Sequence, residues 1–335
     1  MEQNVVLEVK DLCVNFYTNQ RCNKALRDVS FSMQKARTLC IVGESGCGKS
    51  VTANSIMQLL PELSRIENGS ITYYGKEGPV SIESLKRNGR VMRGLRGQEI
   101  AMIFQDPMTA LNPVFTVGFQ IDEMLRNHKP LSRKEATKNS IRLLKDMGVS
   151  LPEQRVHEYP HQYSGGMRQR AMIAMAMACE PKVLIADEPT TALDVTIQAQ
   201  IFELMLKLKK EKEMAILLIT HDMGVVAEMA DDVAVMYMGN IVESGTAQQV
   251  MASPSHPYTK ALLQSIPVLG KGKNQKLEPI RGTTPDPYNR PVGCQFAPRC
   301  DYATEQCRRA MPDETNIDQD GHMVRCFNYK ELLNG

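Results

Sequence analysis

Thr38-Leu39-Cys40-Ile41-Val42-Gly43-Glu44-Ser45-Gly46-Cys47-Gly48-Lys49-Ser50 is the stretch on which the reading of this chain turns. Its first five residues are a short apolar run of the kind buried on both faces of a sheet. The next eight match the P-loop pattern: two glycines, a lysine and a hydroxyl at fixed spacing, after a strand and before a helix. Glycines let the loop bend so that successive backbone N–H groups turn inward on phosphate oxygens. A helix that begins at the loop adds its positive end to the same cradle. Helical spacing does follow, from Ser50 to Leu60, and Pro61 stops it. Gly43, Glu44, Ser45, Gly46, Cys47 and Gly48 are therefore the expected cradle. Lys49 is expected to reach the β- and γ-phosphates, and the Ser50 hydroxyl to ligate Mg²⁺. Alone, the loop indicates a nucleotide and leaves the class open.

Outward from the loop, strand and helix patterns alternate. Val5 to Val9, Leu12 to Tyr17 and Ala25 to Met33 are rich in strand formers. Helical periodicity runs through Ile121, Met124 and Leu125, then Ile141, Leu143, Leu144 and Met147. Val183 to Ala186 reads as an apolar strand ending at Asp187, Val195 to Lys212 as an amphipathic helix, and Ala215 to Ile219 as a third apolar strand before His221. Such alternation predicts an α/β fold with a largely parallel sheet wrapped by helices. Composition changes near Ser253-Pro254-Ser255-His256-Pro257, and Leu269 to Lys276 reads as a linker. No internal repeat is visible.

The chain has 335 residues, 42% of them hydrophobic and 23% charged, enough for one large domain and an appendage with a buried core. A net charge of +2 gives no electrostatic case for nucleic acid. The longest strongly apolar stretch, Ala171 to Cys179, is about half of the roughly 20 residues a membrane span needs. Met1 to Lys10 lacks the basic start and apolar run of a secretory leader, so a cytosolic chain is expected.

Five further segments carry a family resemblance. Ser164-Gly165-Gly166-Met167-Arg168-Gln169 resembles the signature of the nucleotide-binding subunits of ABC transporters. A serine hydroxyl and glycine N–H groups at a helix N-terminus suit a phosphate contact made in trans, although a serine there is also an ordinary helix cap. Asp187-Glu188 closes a strand as the family's acidic pair does. The resemblance implies that Asp187 holds Mg²⁺ and that Glu188 polarises the attacking water. Thr191-Ala192-Leu193-Asp194 stands at the D-loop, with Asp194 towards the partner subunit. His221 resembles the switch histidine, and Gln105 in Phe104-Gln105-Asp106-Pro107 the Q-loop glutamine, a ligand of Mg²⁺ or of water. The helical subdomain is expected over about 106–179, as the region that meets membrane subunits. Phe16 or Tyr17 would stack on adenine, Phe16 being preferred. Val51 and Tyr163 depart from the commoner threonine and leucine without removing a reactive group.

The resemblance implies a P-loop NTPase with a RecA-like core, an antiparallel β subdomain and a helical subdomain over residues 1–255, then an extension over 256–335. It implies ATP and Mg²⁺ bound between two subunits head to tail, a related second ATPase being favoured. Two membrane permeases, an extracellular or periplasmic substrate-binding protein and a place on the cytoplasmic membrane face follow. Ser255-His256-Pro257-Tyr258-Thr259, Pro298-Arg299-Cys300 and the run from Thr190 to Gln200 are similar to the ATPase subunits of dipeptide and oligopeptide importers, with metal–chelate importers sharing parts. ATPases acting on DNA or ribosomes, and P-loop carriers of iron–sulfur clusters, are the rival classes. The first calls for a long coiled-coil insertion or a second cassette, and the other needs neither Ser164 nor Gln105.

Nine cysteines divide by position. Cys13, Cys22, Cys40, Cys47 and Cys179 share no spacing and are expected to be small buried residues. Cys294, Cys300, Cys307 and Cys326 crowd together, and in a reducing cytosol point to metal. Four thiolates suit a [4Fe–4S] cluster or tetrahedral Zn²⁺; the lack of paired Cys-x2-Cys knuckles favours the cluster. His322 is either a substitute ligand in a Cys₃His site or a surface residue.

Overall fold

The apolar run before the P-loop forms the strand Thr38–Val42, buried along its whole length. In this computed structural model the described residues are 4–18, 21–191, 193–265 and 280–333. The stretch Leu269 to Lys276, read as a linker, lies outside them.

Two compact units are present: Met1–Leu7 with Met33–Arg37 and Tyr73–Leu218, and Glu8–Ser32 with Thr38–Thr72 and Ile219–Gly335. In the first, Ile100–Ile103 pairs in parallel with Val183–Asp187, Ile100 opposite Val183 and Ile103 opposite Ala186. Both strands are buried throughout, as a parallel sheet covered on both faces requires. The strand Ala215–Thr220 lies beside Val183–Asp187. The helices of this unit include Val117–His128, Arg133–Asp146, Gly165–Ala176 and Val195–Lys212. Their starts are written in the sequence. Thr116, Ser132, Ser164 and Asp194 each accept a backbone N–H from the third helical residue, and Ser132 with Glu135 completes a capping box.

In the second unit Thr38–Val42 pairs in parallel with Asp232–Tyr237, Leu39 opposite Asp232 and Val42 opposite Val235. Asp232–Tyr237 turns back antiparallel into Asn240–Thr246. The turn runs through Met238 at φ 45° and Gly239 at φ 81°. Met323–Val324 then adds to Asn240–Thr246, and Thr315–Asn316 adds to Met323–Val324. The C-terminal residues thus extend the sheet that carries the P-loop strand. Val5–Tyr17 is flanked by Cys22–Gln34 and Ser64–Gly75 in a second sheet.

Several expectations change. Val5–Tyr17 is one strand, carried through Asp11 at φ 48°. The helix after Ser164 ends at Ala176, so the apolar stretch Ala171 to Cys179 runs past it. Of the five scattered cysteines only Cys40, Cys47 and Cys179 are buried; Cys13 is half-buried and Cys22 exposed. The strands Ile100–Ile103, Asp232–Tyr237 and Asn240–Thr246 had no clear period in the sequence, being too short or buried on both faces. Among the described residues no helix is long and apolar enough to cross a membrane.

Candidate nucleotide site

The P-loop follows directly from Thr38–Val42 and runs into the helix Lys49–Ile56. Gly43 is needed for space: a Cβ there would lie 2.1 Å from the Met236 carbonyl oxygen. Gly48 is needed for conformation, at φ 114°, and its Cβ would also press on Leu26. Lys49 is buried at 5% exposure, and its Nζ donates to the carbonyls of Gly43 at 2.7 Å and Glu44 at 3.1 Å. An ammonium withdrawn from water and held on two neutral carbonyls is a strong site for an anion. Ser45, Gly46 and Ser50 are exposed on the same loop, while Cys47 is buried, which pushes its thiol up. Cys47 therefore packs the loop from within and offers no thiolate.

Glu44 is held from the far end of the chain. Arg299 clasps its carboxylate with both terminal nitrogens, at 2.6 and 3.0 Å, and the Tyr258 hydroxyl accepts the Glu44 N–H at 2.8 Å. Arg299 stacks over Tyr237 and Phe296, and those rings pack with Tyr258. His221, exposed, follows the strand Ala215–Thr220, and Asp222 caps the helix Met223–Met229. Phe16 is half-buried, while the neighbouring Tyr17 donates its hydroxyl to Glu67 at 2.6 Å and lies under Arg65. Consecutive residues of a strand face opposite sides, so the two rings cannot share one role.

In the first unit Asp187, 6% exposed, ends its strand, and Glu188 follows at φ 45°. A left-handed glutamate is uncommon and costs about 1 kcal/mol; two residues help to hold it. Gln105 Nε2 donates to Glu188 Oε2 at 3.0 Å, and Thr191 Oγ1 to the same oxygen at 3.1 Å. Thr191 Oγ1 also reaches the Glu188 carbonyl at 3.2 Å. The sequence reading linked Gln105 and Glu188 only through resemblance; here they touch. Thr191 was missed as a carboxylate partner, although a hydroxyl three residues after an acid is the usual signal of such a turn.

Ser164 is exposed, and its Oγ accepts the Met167 N–H at 3.3 Å, so its hydroxyl does act as a helix cap. Gly165 and Gly166 open that helix. A Cβ on Gly166 would meet Ile197 at 2.9 Å, so the glycine lets the helix Val195–Lys212 approach. Asp194 caps that second helix through Oδ1 and the Ile197 N–H at 3.0 Å. Ala192 lies outside the described residues. Tyr163, where leucine is commoner, is buried and donates its hydroxyl to the Arg155 carbonyl at 2.7 Å.

Cys294, Cys300, Cys307 and Cys326 line one small apolar cavity with Phe296, Tyr302 and Phe327. Burial first, and then the neighbouring thiols, push Cys326 up to about 12 and Cys300 up to about 11. Asn328 Nδ2 points at Cys307 Sγ from 3.9 Å. Among the described residues no group of three or more His, Cys, Asp or Glu side chains is arranged to hold a metal ion. His322 is neither a fourth ligand nor a surface residue: it is 3% exposed, and its Nε2 bonds Glu243 Oε1 at 2.8 Å.

Comparison with known proteins bears on these sites. Residues 26–191 match the family profile described as ABC transporter, and residues 242–307 that described as the oligopeptide/dipeptide transporter C-terminal region. The chain is 50% identical to the dipeptide transport ATP-binding protein DppD of Bacillus subtilis, covering 96% of this chain and 94% of that one. It is 51% identical to the oligopeptide transport ATP-binding protein OppD of the same organism, over 96% and 88% of the two chains. Among solved structures, the dimeric post-hydrolysis state of the ATP-binding cassette MJ0796, bound to ADP and Pi, is similar with a TM-score of 0.63 at 26% identity. That likeness covers 72% of this chain and 98% of the cassette. CbiO1 of Clostridium perfringens gives a TM-score of 0.62 at 27% identity, over 75% and 92%. The chain belongs to the ABC transporter family, as one of its ATP-binding proteins.

Proposed function

We propose that this chain is the ATP-hydrolysing subunit of a peptide importer, working beside a second, related ATPase and two membrane permeases at the cytoplasmic membrane face. A substrate-binding protein outside the membrane supplies the peptide. The observation that carries this reading is its likeness, over nearly its whole length, to proteins named for dipeptide and oligopeptide transport.

In this reading Lys49 and the loop from Gly43 to Gly48 hold the triphosphate, with Phe16 against adenine. Ser50, Asp187 and Gln105 are the donors for Mg²⁺, which supplies neutralisation of phosphate charge when bound. Ser50 is an exposed hydroxyl and Asp187 a carboxylate at a strand end, a donor set of the hard oxygen type Mg²⁺ takes. Glu188 takes the proton of a water that attacks the γ-phosphorus; the bond to the β–γ bridging oxygen breaks and ADP leaves. Gln105 and Thr191 aim the Glu188 carboxylate, and His221 meets the γ-phosphate. Ser164, Gly165, Gly166 and Asp194 face the nucleotide of the partner ATPase. Most of the acceleration is positioning and charge neutralisation.

The cysteine cavity supports a second assignment. Four cysteines on one apolar cavity, Cys307 buried and the other three half-buried, are a soft donor set of the kind a [4Fe–4S] cluster takes, with Zn²⁺ the alternative, although as placed they are not grouped as ligands. Such a group would tie together four segments of an extension with little core of its own. Anaerobic purification is expected to give a brown protein with iron and sulfide in equal amounts; a colourless protein with one zinc per chain would replace the cluster by zinc.

The transport reading is tested with inverted membrane vesicles carrying the assembled transporter and loaded with its substrate-binding protein. Labelled dipeptides or oligopeptides are expected to move only when ATP is added. Movement of a metal chelate and of no peptide would overturn the substrate class.

A further inference from the structure

The motif Pro298-Arg299-Cys300 stood out in the sequence, yet its arginine had no role there. In the structure Arg299 is nearly withdrawn from solvent, its side chain 3% exposed, and it spans 255 positions of sequence to form a two-pronged ion pair with Glu44 of the P-loop. Its Nε is engaged as well, donating to the Arg281 carbonyl at 2.8 Å. Tyr258, fully buried, takes the Glu44 N–H on its hydroxyl. Side chain and backbone of one loop residue are therefore both fixed by residues 256–335.

Glu44 matters because of what rests on it. The two carbonyls that receive Lys49 Nζ are those of Gly43 and Glu44. Whatever fixes Glu44 fixes where the phosphate-binding lysine stands before nucleotide arrives. An Arg–carboxylate pair with parallel hydrogen bonds, its arginine buried and its carboxylate 29% exposed, is a geometric constraint as well as an attraction. An exposed pair would lose much of it to water and side-chain entropy.

We propose that Arg299, with Tyr258, is a positioning residue for ATP binding: the C-terminal extension acts as the rear support of the phosphate loop and sets nucleotide affinity. The proposal rests on the reading of Gly43–Ser50 as the ATP site. A loop held in the binding arrangement loses less freedom when phosphate enters, so releasing Glu44 weakens binding without removing any group that touches phosphate.

The test is titration of the full-length chain with a fluorescent ATP analogue and Mg²⁺, together with thermal melting of the ligand-free protein. Arg299→Gln is expected to raise Kd by about tenfold and Glu44→Gln by a similar factor, since either breaks the same pair. The double variant should be no worse than the weaker single. Arg299→Lys, which keeps the charge and loses the fork, should fall between Arg299→Gln and the unaltered chain. For Arg299→Gln in the assembled transporter, KM for ATP should rise while kcat stays within about twofold. A Kd within twofold of the unaltered chain in Arg299→Gln, with melting lowered, would make the contact purely structural and overturn the proposal. If Arg299→Gln does not fold, Tyr258→Phe decides: it must raise Kd, and an unchanged Kd overturns the proposal. Failure of the unaltered chain to bind the analogue would overturn the ATP-site reading itself, and this inference with it.

Discussion

Gln105 Nε2 lies 3.0 Å from Glu188 Oε2, and that one carboxylate oxygen also receives the Thr191 hydroxyl. Glu188 is thereby aimed in a left-handed backbone at φ 45° that is uncommon for a glutamate. Strain of this kind, held by two side-chain donors, belongs where direction of a carboxylate matters more than stability.

Gln105→Leu keeps the size of the side chain and removes the donor. Hydrolysis is expected to fall by at least about tenfold, the loss of one hydrogen bond to a charged group, and by more than any weakening of Mg²⁺–nucleotide binding. Steady-state ATPase and equilibrium titration of the same preparation separate the two effects. Equal losses in both would assign Gln105 to binding.

Two glycines of the phosphate loop should respond differently to one methyl group. Gly43→Ala places a Cβ 2.1 Å from the Met236 carbonyl, which backbone must move to relieve. Gly46→Ala meets no atom within 4 Å and suffers only from its φ of 80°. Gly46→Ala should cost about 1 kcal/mol and Gly43→Ala more, about 1–3 kcal/mol, with loss of nucleotide binding. Denaturant unfolding of both ranks them, and a reversed order would contradict the packing described.

Tyr163→Phe removes a buried hydroxyl and leaves the Arg155 carbonyl with the Glu158 N–H alone. A loss of about 1–2 kcal/mol in stability is expected, with signature function retained, since no phosphate contact is assigned to Tyr163. ATPase activity falling by more than tenfold at a temperature where the variant is folded would give this position a role that its hydrogen bond does not explain.

His256 is wholly buried, and burial lowers it from 6.5 to about 3. Its Nδ1 accepts the Tyr258 N–H at 3.0 Å, its backbone N–H donates to Glu243, and its ring lies beside Phe296. The unfolded chain therefore binds a proton that the folded chain refuses between about pH 6.5 and 3. Stability contributed by the neutral ring is complete above pH 6.5 and is lost as pH falls through that window, at about 1.4 kcal/mol per pH unit. His256→Asn, which keeps a cap acceptor, should flatten this part of the profile; an unchanged acid slope would place the proton uptake elsewhere.

How much of this was legible in the sequence depends on the range of the interaction. Gly43 and Gly48 announced a loop because backbone demands are local. The boundaries of Thr38–Val42 and Val195–Lys212 came out as read because each is bracketed by turn or cap residues. The strands Ile100–Ile103 and Asn240–Thr246 did not show, since four to seven residues buried on both faces carry no alternation. Arg299 with Glu44, and His322 with Glu243, were invisible for a different reason. Each joins residues far apart in the chain, and nothing near either partner records the other. Ser164 and Asp194 illustrate a third case: the structure explains both as caps, and a cap can still turn a free face to a partner subunit.

The central claim is that Glu188 activates the water that cleaves ATP. It is tested most directly by Glu188→Gln in the transporter assembled with its companion subunits, measuring ATP binding and phosphate release on the same preparation. Binding is expected to be unchanged and release slowed by at least about 10²-fold, as loss of a general base does. Phosphate release at the unaltered rate from the Glu188→Gln site would contradict it.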